Sequence, residues 1–169
     1  TRRYLPEKAR AGETNSAKPV LVQHGLFIAK AQRDVQWLRP LYPAFQKYLN
    51  YYRNTCLHES GLFYFQDDAC IGVDNDPCTF YRPKGSSASI FLNSLMYREL
   101  LAMEELSRLL EYPSQCYAAQ AEALKQAIQS RCYDERNGFY YSVDIDLLPV
   151  DPNQWLHSGC PRNWDTLMR

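Results

Sequence analysis

The sequence predicts an all-α protein built of αα-hairpins, with one short β-hairpin and long loops. Three observations predict it. Apolar residues recur at helical spacing in four separate stretches. The links between consecutive stretches within each pair are short, which favours antiparallel neighbours. An extended-looking run, Phe139-Tyr140-Tyr141-Ser142-Val143, follows the turn residues Asp134-Glu135-Arg136-Asn137-Gly138.

Residues 1–18 are polar and basic, with Arg2, Arg3, Lys8, Arg10 and Lys18 against Glu7 and Glu13, and read as an arm or loop. Pro19 opens an apolar stretch, Val20 to Ala31, expected to be helical although Gly25 weakens it. Asp34 can cap a short helix that Pro40 and Pro43 interrupt. Beyond them Leu41, Phe45, Tyr48, Leu49 and Tyr52 predict a longer helix to about Thr55, with Pro43 in its first turn. Residues 57–85 break this rhythm and form a long loop, with a short strand expected at Leu62–Phe65. Loops beyond about 12–15 residues in a compact domain are often functional.

Ser86 to Glu111 is the strongest helical stretch. Leu92, Met96, Leu100, Met103 and Leu110 lie along one line, with Phe91, Leu95, Ala102, Leu106 and Leu109 beside it. So wide a stripe needs neighbours on both sides. Glu99, Glu104 and Glu105 are expected to face solvent or pair with Arg98 and Arg108. Gln115 to Cys132 forms the next helix, with Tyr117, Ala121, Leu124 and Ile128 inward. The chain thus divides into a basic arm (1–18), a helical region (19–143) and an irregular segment (144–169) carrying Pro149, Pro152 and Pro161.

Composition narrows the function classes. Of 169 residues, 46% are hydrophobic and 22% charged, the balance of a globular protein with a core. A net charge of zero offers a nucleic acid or an anionic membrane no electrostatic attraction. No apolar run approaches the roughly 20 residues of a membrane span. A start at Thr1 points to a trimmed or processed chain, and the compartment stays open between cytoplasmic and periplasmic or secreted. The cysteines at 56, 70, 78, 116, 132 and 160 contain no Cys-x-x-Cys pair, so they read as free, mostly buried thiols; neither a metal nor a cofactor is expected.

Chemistry concentrates in one stretch. Between His58 and Tyr81 there is no Lys or Arg, while Glu59, Asp67, Asp68, Asp74 and Asp76 alternate with Phe63, Tyr64, Phe65, Phe80 and Tyr81. Glycosidic cleavage needs one carboxylic acid to protonate the leaving oxygen and a second carboxylate to activate water or attack the anomeric carbon. Asp76, two residues beyond Asp74, and the apolar Ile71 and Val73 would all raise the Asp74 pKa, as an acid catalyst requires. By spacing alone, however, Asp74-Asn75-Asp76-Pro77 is first an acidic turn, with catalysis second and a calcium loop third. Asn93, on the buried helix, needs hydrogen-bond partners, in that loop or at a nearby carbonyl.

Four segments together resemble a known family. Gly72-Val73-Asp74-Asn75-Asp76-Pro77 has the form G-x-D-[ND]-x-P. Leu92-Asn93-Ser94-Leu95-Met96-Tyr97-Arg98-Glu99 has the form L-N-x-L-x-Y-x-E. Lys18-Pro19 precedes a helix, and Cys132-Tyr133-Asp134-Glu135-Arg136-Asn137-Gly138-Phe139-Tyr140-Tyr141 ends the set. In this order they resemble glycoside hydrolase family 63 and its mannosylglycerate-hydrolase-like relatives among the six-hairpin glycosidases.

The resemblance implies an (α/α)6 toroid, of which this chain would be part, and an inverting exo-acting α-glycosidase, an α-glucosidase first, acting on oligosaccharides or small glycosides. It implies that Asp74 is the general acid. The family's general base, a Glu, has no counterpart here, so the chain by itself is expected to be inactive. Candidate substrate contacts are Phe63, Phe65, Asn75, Asp76, Phe80, Tyr81, Arg82, Trp155 and Trp164. Arg82 is included because Cys78 stands where the family often has an Arg after the Pro. Exposed apolar edges would favour self-association. The rival reading is a non-catalytic helical-repeat interaction module or a carbohydrate-binding module.

Overall fold

A computed structural model describes residues 18–65 and 85–146. Helix α1, Leu21–Gln32, ends where Arg33 turns into the left-handed region at φ 55°, and its N–H returns to the Ala29 and Lys30 carbonyls. Asp34 then accepts the Gln36 N–H at 2.8 Å and starts a 3-10 helix, Gln36–Leu41. That helix runs directly into α2, Tyr42–Thr55, with Pro43 in the first turn as expected. Strand β1, Ser87–Ala88, precedes α3, Ile90–Leu109. Helix α4 is Gln115–Cys132, the span read from its sequence. Strands β2 (Tyr133–Asp134) and β3 (Phe139–Tyr140) pair as a hairpin, and β4 (Val143–Asp144) returns to pair antiparallel with β1.

Two expectations shift. The long helix begins at Ile90 rather than Ser86, because the Ser87–Ala88 backbone pairs with Asp144 and Val143 instead. The strand expected at Leu62–Phe65 reduces to one antiparallel bridge, Leu57 with Phe63, supported by a Tyr64 N–H to Cys56 carbonyl bond of 2.8 Å.

The helices form two layers. Val22 and Gln23 of α1 meet Glu99 of α3, and Lys30 meets Glu105, so α1 and α3 advance in the same direction. Gln46 of α2 bonds the Tyr117 hydroxyl of α4, and Arg53 shares a concavity with Ala123, so α2 and α4 are also parallel. Two αα-hairpins therefore stack side by side. Their shared core holds Val22, Leu26, Phe45, Tyr48, Leu92, Met96, Met103, Leu106 and Leu124. Gly25 explains its own presence within α1: a Cβ there would lie 3.3 Å from Leu38 and 3.4 Å from Phe45. Its absence lets the 3-10 helix and α2 approach closely.

Among the described residues Cys56, Cys116 and Cys132 are free thiols, the first and last buried and Cys116 exposed. Burial pushes the thiols of Cys56 and Cys132 upward and keeps them protonated. No helix among the described residues is long and apolar enough to cross a membrane.

Candidate functional site

Asp74, Asn75, Asp76, Phe80, Tyr81, Arg82, Trp155 and Trp164 lie outside the described residues. What the structure describes is the frame on either side of residues 66–84. On the leading side the chain from Cys56 to Phe65 folds back on itself, with the His58 N–H bonded to the Leu62 carbonyl at 2.9 Å. The side chain of Asn93 then clamps this segment. Its Oδ1 accepts the Phe63 N–H at 2.7 Å, and its Nδ2 donates to the Phe63 carbonyl at 2.8 Å and to the Ser89 carbonyl at 2.8 Å. An amide carries an acceptor and two donors, so one Asn can bond both the N–H and the C=O of Phe63. The expectation that Asn93 satisfies a nearby carbonyl therefore holds, while a bond to the Asp74 turn lies outside the described residues.

On the trailing side the Ser86 carbonyl accepts the N–H groups of Ile145 and Asp146, at 2.8 and 3.1 Å, beside the β1–β4 pair. The two sides are joined by His58, whose Nε2 lies 3.5 Å from Asp146 Oδ2. Nδ1 of the same ring accepts the Ser60 N–H at 3.1 Å, which in the neutral ring leaves the proton on Nε2, facing Asp146. The candidate contacts Phe63 and Phe65 are buried in the core. Phe63 also lines a concavity of about 230 Å³ together with Leu57, Leu100 and Leu124. Its lining contains no carboxylate, so it does not itself supply glycosidic chemistry.

Glu99 corrects the sequence reading. It was expected at the surface or paired with an Arg; it is 0% exposed. Its carboxylate accepts the N–H groups of Val22 at 2.9 Å and Gln23 at 3.0 Å, donors that the first turn of α1 leaves without helical partners. Burial raises its pKa, while the Gln23 and Val22 N–H groups oppose the rise. The phenol of Tyr48, close to Tyr52 and Glu99, is held neutral by burial above all. The signal for Glu99 was present: 92, 96, 99, 103, 106 and 110 form an i, i+4, i+7 line in which it is the one charged residue. Glu104 faces Arg108 at 3.6 Å as expected, whereas Glu105 pairs across to Lys30 of α1 at 2.8 Å rather than with an Arg of its own helix.

The described residues in or next to three of the segments singled out in the sequence, and those leading into residues 66–84, thus meet at the first half of α3. Glu99 holds the helix that follows Lys18-Pro19, Asn93 holds the backbone leading into residues 66–84, and Ser142, just past the Cys132–Tyr141 segment, accepts the Ile90 N–H at 3.1 Å. Compared with known families, residues 6–158 match the mannosylglycerate hydrolase MGH1-like glycoside hydrolase domain. The chain belongs to this family. No significant match was found among curated proteins or among solved structures. Membership in this glycoside hydrolase family implies a carbohydrate substrate and agrees with the resemblance carried by the four motifs. Within the MGH1-like domain, the Asn and Glu of the L-N-x-L-x-Y-x-E helix are anchors for neighbouring segments rather than groups presented to a substrate.

Proposed function

We propose that this MGH1-like domain contributes the general-acid half of an inverting, exo-acting α-glycosidase site, with an α-glucoside as the first substrate class. Asp74 protonates the departing glycosidic oxygen, and a carboxylate outside residues 1–169 activates water on the opposite face of the sugar. Family membership across residues 6–158 carries this reading. The frame built by Asn93, the β1–β4 pair and the His58–Asp146 contact supports it, because a segment that delivers a proton must be held at both flanks. Asn75, Asp76, Phe80, Tyr81, Arg82, Trp155 and Trp164 are proposed substrate contacts on the strength of the motif and of residue type.

Leaving-group dependence tests the role of Asp74. In the polypeptide that carries these residues, Asp74→Asn is expected to lower kcat/KM on an alkyl α-glucoside by roughly 100- to 10,000-fold, the usual contribution of a general acid. On an α-glucosyl fluoride, whose leaving group departs without a proton, the loss is expected to be far smaller. Equal losses on the two substrates, or no loss on either, would remove Asp74 from this role. The 169-residue chain alone is expected not to turn over either substrate.

A further inference from the structure

We infer that Phe139 and Tyr141 form a carbohydrate-binding platform outside the catalytic segment. The two side chains leave the same face of the chain at the end of the β2–β3 hairpin. Their ring centroids lie 5.2 Å apart with the planes at 59°. They are 61% and 46% exposed, so the pair adds little to the core of this domain. Yet the rings are firmly placed. The Tyr141 N–H bonds the Cys132 carbonyl at 2.8 Å, and Gly138, at φ 70°, makes the tight turn that brings β3 back along β2. Asn137 ties the pair together, its Oδ1 accepting the Phe139 N–H at 3.1 Å and its Nδ2 donating to the Tyr141 hydroxyl at 2.9 Å.

The Tyr141 hydroxyl consequently serves as acceptor to Asn137 and keeps its own proton to donate outward. Two angled rings beside a hydroxyl donor suit a pyranose, whose CH face lies on an aromatic plane while its hydroxyls need hydrogen-bond partners. Position adds to the chemistry. Ser142 holds the first turn of α3, and Val143 and Asp144 pair with β1, which follows residues 66–84 in the chain. The platform therefore stands at the end of the helical array where the segment bearing Asp74 rejoins the fold, as a remote subsite for a longer glycan would.

The proposal rests on the carbohydrate substrate that family membership implies, and not on the role of Asp74. Titrating the 169-residue chain with maltotriose, followed by saturation-transfer NMR and by the aromatic proton shifts, tests it. Saturable shifts at Phe139 and Tyr141 are expected. Phe139→Ser and Tyr141→Ser should each weaken binding by about 3- to 10-fold with unchanged circular dichroism, since each removes one exposed ring. Failure of Asp74 as the acid would appear in hydrolysis alone and leave this titration intact. Absence of saturable binding, binding unaltered in both serine variants, or ring shifts that follow protein rather than sugar concentration (a second copy on the pair) would each overturn the platform.

Discussion

At the scale of single residues, Glu99 and Asn93 play the same part with different chemistry. Each is polar, buried and committed to backbone groups of another segment. Glu99 also titrates. Its pKa is raised in the fold by burial, above an unfolded value of about 4.3. Its contribution to stability is therefore fully present below the unfolded pKa and is lost as pH rises through the folded one. Glu99→Gln removes this titration and leaves one oxygen to serve two N–H donors. Urea denaturation of both proteins should show the parent losing stability relative to the variant as pH rises above the unfolded value of about 4.3. A difference that stays flat, or grows in the parent's favour with pH, would contradict the raised pKa.

At the scale of elements, the helices were legible because their apolar spacing is regular, and α4 was read at its full span. The start of α3 was not. Ser86 to Ser89 carry no breaker, and only the arrival of β4 from more than fifty residues away converts Ser87–Ala88 into strand. Gly25 was likewise read as a weakness in α1, whereas it is a contact point for Leu38 and Phe45. Gly25→Val should therefore destabilise the domain by about 1–3 kcal/mol, despite valine's better helix propensity, because branched carbons enter a packed interface. A thermal melt of the variant at or above the parent's midpoint would show that α1 can shift away without loss.

For the molecule as a whole, the two stacked hairpins leave apolar side chains uncovered. Phe27 is 72% exposed on α1, with Ile28 beside it, and Leu101 and Leu109 are exposed on α3. Isolated exposed apolar residues are ordinary, but four large ones on two neighbouring helices favour a partner that covers them. The 169-residue chain is expected to self-associate reversibly. Sedimentation velocity should show a mass that rises with concentration, reduced by Phe27→Lys. A strictly monomeric parent would mean that these side chains are tolerated in water as they stand.

The sequence by itself determined the helical class, the hairpin connectivity and the acidic, aromatic segment around Asp74, because periodicity and local chemistry are written in neighbouring residues. Its motif order also pointed to the family that residues 6–158 match. Only the tertiary structure decided what the motif residues on α3 do. Asn93 and Glu99 act on backbone groups 30 and 77 residues away in the chain. No local pattern specifies such partners; they are chosen when burial leaves a polar group with one place to bond.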